Sequence, residues 1–194
     1  MIILASTSPT RQAILAKAGL AFTAVSPKVD ERNLVAQHLH WSPADTAQKL
    51  AEAKAVDVSA RNPHAIVIGA DQVLALGSKV YTKPSSIEEC RQHLLELRGK
   101  SHKLISSVAC AQGGLIQWSH TDEALLRMRL FSDRFLQWYL DEIGNDCMST
   151  VGGYKIEGLG LQLFEEVNGD HFTILGLPLI PLLRQLRSMR EILS

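Results

Sequence analysis

The sequence predicts an α/β protein with a mixed β-sheet, and two features support that prediction: the pattern of its apolar residues and the capping residues that bound its helices. Short apolar runs typical of buried strands alternate along the chain with stretches of helical period. Capping residues bound the helical stretches, such as Ser8 before the first one and Gly19 after it. The 194 residues contain no repeat, low-complexity segment or charged linker, so a single domain over residues 1–194 is expected.

Apolar runs locate the strands. Strands are predicted at 2–5, 22–25 and 65–76. In the third of these, only Asp71 and Gln72 interrupt a buried pattern. The glycine pair 113–114 predicts a hairpin between 104–111 and the chain from Leu115 onward.

A second hairpin is predicted at the asparagine–glycine pair 168–169. Such a pair favours a type I′ turn, which would join strands at 161–167 and 171–175.

Capping residues also locate five helices. The predicted starts are Pro9, Pro43, Ile87, Asp133 and Pro178. Ser42 precedes the second helix as its N-cap, and Ser86 with Glu89 predicts a capping box at the third.

Composition excludes several classes of protein. Lys and Arg number 20, as do Asp and Glu, so the chain lacks the positive excess of proteins that bind nucleic-acid polymers. No apolar run approaches the roughly 20 residues that span a membrane, and the N-terminus lacks a signal-peptide pattern. The widely spaced Cys90, Cys110 and Cys147 indicate buried thiols rather than a disulfide framework. We expect a cytoplasmic protein with neither membrane nor nucleic-acid partners.

The segment from Ser6 to Arg11 is the first candidate site because it joins a strand to a helix. With Ser8 as N-cap, the N–H groups of Thr10 and Arg11 would face outward and, with the nearby hydroxyls, attract an anion. The Arg11 guanidinium suits a phosphate. On spacing alone, an ordinary capped helix with a solvated arginine is the favoured interpretation.

Two charged residues that interrupt apolar patterns are the next candidates, and of the two only Asp71 favours a functional interpretation. Lys54 lies in the middle of the apolar face of the second helix, where it must snorkel, pair with an acid or reach a cavity. Asp71 interrupts a buried strand, where a carboxylate is costly unless it meets a cation, a metal or hydrogen bonds. Glu31 and Lys83 are weaker candidates alone. Together these charges suit a metal-bound polyphosphate.

Motifs in order along nearly the whole chain resemble the Maf family, also called septum formation inhibitor proteins. They are the segments 3–11, 29–31, 51–55, 68–72, 83–84, 153–158 and 176–178. The resemblance implies a Maf/ITPase-like α/β fold, an elongated mixed sheet with helices forming two lobes around a cleft, often as a homodimer. It also implies a nucleoside triphosphate pyrophosphatase that uses a divalent metal, Mg or Mn, and releases a monophosphate and pyrophosphate.

The resemblance implies roles for single residues. Asp71 matches the family's proton acceptor, and Arg11, Lys54 and Lys83 match residues expected to hold the phosphates. We therefore expect Asp71 and Glu31 to hold the metal and activate a water that attacks the α-phosphorus. Lys54 and Lys83 would stabilise the pyrophosphate leaving group.

Three positions resemble the 7-methyl-GTP branch of the family. They are Thr10, Gln72 and Glu157, where the branch acting on dTTP and UTP has Arg, Thr and Gln. A carboxylate such as Glu157 can accept both N–H donors of a guanine edge, and it favours a ring made cationic by methylation. A dTTP/UTP pyrophosphatase, a nucleotide-binding regulator of cell division with little catalysis, and a protein-interaction module remain alternatives at this point.

Overall fold

The structure is a computed structural model that describes residues 1–193, within which a seven-stranded sheet forms. The strands are β1 (Ile2–Ala5), β2 (Phe22–Ala24), β3 (Ile66–Leu76), β4 (Lys79–Tyr81), β5 (Ser101–Gln112), β6 (Leu115–Met128) and β7 (Phe164–Asn168). Their order is β2-β1-β3-β5-β6-β7, and β4 pairs with β3. Strand β1 is parallel to β2 and β3, whereas β4 and β7 pair antiparallel with β3 and β6. The predicted α/β fold with a mixed sheet is confirmed.

Seven helices accompany the sheet within the described residues. They are α1 (Pro9–Lys17), α2 (Glu31–Ala36), α3 (Pro43–Arg61), α4 (Ile87–Leu97), α5 (Asp133–Ile143), α6 (His171–Ile174) and α7 (Leu179–Ser188). Three 3₁₀ segments lie at Gly144–Ser149, Val151–Gly153 and Leu159–Leu163. The five predicted helices are confirmed as α1, α3, α4, α5 and α7, while α2 and α6 were not predicted.

The caps explain where these helices begin. Ser42 Oγ accepts from the N–H of Asp45 at 3.1 Å, and the Asp45 carboxylate accepts from the N–H of Ser42 at 3.0 Å. At α4, Ser86 Oγ accepts from the Glu89 N–H at 3.1 Å, but the Glu89 carboxylate binds the N–H of Ser85 at 2.7 Å. The predicted box therefore forms only in its Ser86 half.

One predicted hairpin is confirmed and the other is wrong. Strands β5 and β6 are neighbours joined by Gly113 and Gly114, both with positive φ, as a type I′ turn requires. The chain after the pair 168–169 instead forms α6, because Asp170 Oδ2 accepts from the Thr173 N–H at 2.8 Å and caps a helix. Strand β7 takes β6 as its partner.

The described chain divides into two compact units, in agreement with the two lobes that the family resemblance implies. The first unit comprises 1–72, 105–123 and the chain from Asp170 onward, and the second comprises 73–104 and 124–169. An apolar core in the first unit holds the sheet against helices of the same unit. It includes Leu4, Leu15, Ile68, Leu182 and Leu186. Within residues 1–193, no helix has the length and apolar character needed to cross a membrane.

Helix α3 packs closely on β3 through small residues of the first unit. Ala51 and Ala55 of α3 are fully buried in a cluster of alanines. A Cβ placed on Gly69 of β3 would lie 2.2 Å from the Ala51 carbonyl oxygen and 2.7 Å from the Ala55 nitrogen. Only glycine permits this approach of helix to strand.

Candidate active site

The centre of the candidate site is Lys54, which lies between two carboxylates. Its Nζ is 2.6 Å from Asp71 Oδ1 and 3.0 Å from Glu31 Oε1. The side chains of Lys54 and Asp71 are 8% and 10% exposed, whereas that of Glu31 is 47% exposed. Lys54 therefore pairs with acidic side chains, which is one of the three arrangements that the sequence allowed for it. Glu31 marks the side of the group that faces solvent.

The packing of α3 on β3 brings these charges together. Asp71 follows Gly69 by two residues in β3, so both face the same side of the sheet, toward α3. Lys54 lies in α3 next to Ala55, which touches Gly69. Glu31 is the first residue of α2, after its N-cap Asp30. The close approach at Gly69 therefore sets the position of the ion pair.

Burial and neighbouring charges act in opposite directions on Asp71. Burial raises the pKa of Asp71, and the charge of Glu31 adds to the rise, while the positive charges of Lys54 and Arg11 oppose it. The pKa of Asp71 is raised on balance, because the carboxylate is almost wholly enclosed. A carboxylate with a raised pKa is a stronger base, so Asp71 is suited to accept a proton.

The Arg11 side chain is engaged with backbone carbonyls of the first unit. Its Nε donates to the Gly176 carbonyl at 2.8 Å and its Nη1 to the Ala70 carbonyl at 2.9 Å, with Ser6 Oγ at 3.5 Å from Nη1. Arg11 therefore fixes α1 to β3 and to the chain before α7. Its predicted contact with a phosphate stays a prediction.

The N-terminus of α1 is capped as the sequence predicts. Ser8 has extended backbone angles, and its N–H donates to Ser6 Oγ at 3.2 Å. Ser8 Oγ accepts from the Arg11 N–H at 3.4 Å, so the prediction that this N–H is free for an anion is wrong. Thr10 lies half-buried in the first turn, beside this cap.

Gln72 has a role that the sequence did not reveal. Its Nε2 donates to Ser106 Oγ at 3.0 Å and to the carbonyls of Thr173 and Ile174 at 3.1 and 2.9 Å. The amide nitrogen is thus engaged inside the protein, and Oε1 is the atom that a ligand could contact. A Cβ on Gly176 would lie 3.5 Å from this Oε1. Because its acceptors are over 30 residues away in sequence, no local pattern could have indicated them.

Lys83 and Glu157 belong to the second unit. Lys83 is exposed, shortly after β4, and Glu157 is exposed in a turn between two 3₁₀ segments. The structure brings Glu31, Lys54 and Asp71 together in the first unit, with Arg11 close enough to influence the pKa of Asp71. That Lys83 and Glu157 share a cleft with them stays a prediction.

The carboxylates fit a hard divalent cation. No group of three or more His, Cys, Asp or Glu side chains within residues 1–193 could hold a metal ion by itself. Glu31 and Asp71 nevertheless supply carboxylate oxygens at one place. Mg²⁺ is usually bound by one or two carboxylates together with substrate phosphates, and this pair matches that requirement.

Comparisons with known proteins agree with the motifs of the sequence. A family model described as Maf-like protein matches residues 1–189. The 7-methyl-GTP pyrophosphatase of Brucella abortus biovar 1 (strain 9-941) is 47% identical over 96% of this chain and 94% of its own. That of Mesorhizobium japonicum is 48% identical over 98% of this chain and 97% of its own. The nucleoside triphosphate pyrophosphatase of Rhodopseudomonas palustris (strain BisB5) is 44% identical over 97% of this chain and 94% of its own.

A solved structure is also similar in part. It is the HAM1 protein from Coxiella burnetii, with a TM-score of 0.47, 13% identity, and coverage of 67% of this chain and 73% of that one.

Proposed function

The chain belongs to the Maf-like family, and from this premise we propose that it is a nucleoside triphosphate pyrophosphatase whose substrate is 7-methyl-GTP. Relatives with that activity in their names are 42–48% identical, and the alignments span nearly the full length of both chains. A product pair of 7-methyl-GMP and pyrophosphate follows from cleavage between the α- and β-phosphates.

The observation that carries the proposal is the buried Lys54 held between Asp71 and Glu31. An enclosed carboxylate with a raised pKa and an adjacent cation is a costly arrangement for stability alone. Hydrolysis of a phosphoanhydride needs a base that takes a proton from water and a positive charge that stabilises the phosphates. Asp71 and Lys54 would supply the two.

In the mechanism we propose, Asp71 accepts a proton from the water that attacks the α-phosphorus. Lys54 keeps Asp71 ionised before the attack and stabilises negative charge on the phosphates, a task that it shares with Lys83. Glu31 and Asp71 would hold Mg²⁺ or Mn²⁺, which neutralises charge on the phosphate oxygens when bound. Proton transfer to a positioned base typically contributes about 10²–10⁴-fold to a rate.

For the base, we propose recognition by Glu157, supported by Thr10 and the Oε1 of Gln72. Glu157 is exposed and carries the charge that a methylated, cationic guanine favours. The amide of Gln72 presents Oε1 because its nitrogen is engaged elsewhere.

The test is pyrophosphate release from 7-methyl-GTP, GTP, dTTP and UTP with Mg²⁺ or Mn²⁺. We expect kcat/KM to be largest for 7-methyl-GTP, and Glu157→Gln to reduce its preference over dTTP. Glu142→Gln is a matched control because Glu142 is an exposed glutamate on α5. A preference for dTTP would overturn the substrate, and no release from any nucleotide would favour a nucleotide-binding regulator instead.

We also propose that the enzyme is a cytoplasmic homodimer without nucleic-acid or membrane partners. The balanced charge of the chain supports the absence of polymer binding. Light scattering after size exclusion tests the dimer, for which a monomeric mass is the contrary result.

A further inference from the structure

Beyond this activity, we propose that Cys90 and Cys147 form a redox pair, which a peroxide converts into a reversible disulfide. The two Sγ atoms lie 2.7 Å apart, and both side chains are fully buried. The cysteines are 57 residues apart in sequence, so the fold alone brings them together. Two thiols in such contact need little movement to become bonded.

The two cysteines lie on elements of different character in the second unit. Cys90 is in α4, which packs against the 3₁₀ segment Gly144–Ser149. Within Gly144–Ser149, Cys147 is the buried residue, and no side chain caps this segment with a hydrogen bond. The Cys147 thiol is buried in the closed segment, and opening of the segment would expose this thiol to solvent.

The pair also borders the chain that leads to Glu157. A Cβ on Gly153 would lie 3.5 Å from the Cys90 Cβ, and Tyr139 in α5 donates to the Gly153 carbonyl at 3.2 Å. Gly153 begins the stretch 153–158, which ends just after Glu157. A covalent bond between Cys90 and Cys147 would join α4 to the segment Gly144–Ser149, which ends four residues before Gly153.

The closed state protects the thiols, so the reaction begins with opening. Burial raises the pKa of Cys90 to about 12, which makes its thiolate rare at neutral pH. When the 3₁₀ segment opens, the Cys147 thiol reacts with hydrogen peroxide to give a sulfenic acid and one water. On closing, the Cys90 thiol attacks that sulfur, and the disulfide forms with release of a second water. A dithiol reductant returns both hydrogens and restores the pair.

The experiment treats the reduced, full-length chain with hydrogen peroxide, alkylates free thiols in denaturant and maps the peptides by mass. We expect the wild type to lose two of its three alkylation sites, with Cys90 joined to Cys147 and Cys110 still alkylated. Cys110→Ser is the matched control and should behave like the wild type, because Cys110 lies in β5, in the first unit, whereas both members of the pair belong to the second. A reductant should restore all sites.

Three results would overturn the proposal. They are full alkylation of all cysteines after peroxide, a disulfide that includes Cys110, and sulfinic acid at Cys147 without a bond to Cys90. The mapping needs no substitution of Cys90 or Cys147, so the folding of such a variant does not affect the result. It also needs no nucleotide and is therefore independent of the proposed activity.

A second measurement tests the structural consequence. In Cys110→Ser, oxidation should raise Tm by about 5–15 °C, because the bond closes a long loop of the unfolded chain. It should also slow amide exchange over 144–149, the segment that carries Cys147. An oxidised chain with unchanged Tm and unchanged exchange would contradict the joining of α4 to this segment.

Discussion

Replacement of Gly69 by alanine should disturb both stability and catalysis, because it would alter the packing of α3 on β3. The added Cβ would lie 2.2 Å from the Ala51 carbonyl oxygen and 2.7 Å from the Ala55 nitrogen. Both are backbone atoms in the middle of α3, so neither can move without the helix. Contacts of real Cβ atoms essentially never fall below 3.0 Å, and α3 must therefore retreat from β3 by about 0.8 Å.

That displacement sets the magnitude of both effects. Overpacking of a buried site typically costs about 1–3 kcal/mol, which corresponds to a decrease in Tm of about 2–12 °C for a chain of this length. The Nζ of Lys54 is 2.6 Å from Asp71 Oδ1, and a shift of this size would lengthen the contact beyond a good hydrogen bond. A misplacement of about 1 Å can reduce a rate by about 10²-fold.

The assays are thermal and urea unfolding, with pyrophosphate release measured well below Tm. Gly158→Ala is the matched control for stability, since a Cβ at Gly158 has no atom within 4 Å and its φ is not positive. We expect Gly158→Ala to unfold within about 0.5 kcal/mol of the wild type. If Gly69→Ala proved as stable and as active as the wild type, the proposed role of this close approach would be refuted.

Three further predictions concern single side chains. Asp71→Asn should lower kcat/KM by about 10²–10⁴-fold, because the amide cannot accept the proton, with an unchanged circular dichroism spectrum. Burial lowers the pKa of His102 from 6.5 to about 4, so the unfolded chain binds a proton that the folded chain refuses, and stability should fall by about 3 kcal/mol as pH decreases from 6.5 to 4. His102→Gln should remove this loss in urea unfolding at a series of pH values. Gln72→Leu should lower the free energy of unfolding by about 1–3 kcal/mol, because it removes the donor to the Ile174 carbonyl, while the Thr173 carbonyl keeps the Ser106 hydroxyl at 2.7 Å.

Each of these has a contrary result. Full turnover by Asp71→Asn would exclude it as the base. An acid dependence that is the same in His102→Gln and the wild type would assign the loss to other groups. Wild-type stability in Gln72→Leu would mean that the Ile174 carbonyl finds another donor and does not depend on Gln72.

Local signals predicted most of the fold. Ser8 and Ser42 marked helix starts because a cap involves only residues two or three positions apart. The error at α6 came from two local signals in conflict, since the pair 168–169 indicates a hairpin turn while Asp170 caps a helix. A hairpin would need a second strand after the pair 168–169 as the partner of β7. Strand β7 pairs with β6 instead, and the chain after the pair forms α6.

The site was predictable in its members but not in its contacts. Lys54 and Asp71 stood out because a charge in an apolar pattern is costly. Their mutual contact depends on how α3 lies on β3, which no pattern within either element specifies. For the same reason the engagement of Arg11 with the carbonyls of Ala70 and Gly176 could not be foreseen.

The group formed by Arg11, Lys54, Glu31 and Asp71 has two positive and two negative charges, so it is electrically neutral like the whole chain. A neutral group exerts little long-range attraction on a polyanion, because the fields of opposite charges cancel at distances larger than their separation. Salt screens what remains beyond a Debye length. A nucleotide bound at this site would therefore arrive by ordinary diffusion. The rate of association should accordingly depend only weakly on ionic strength.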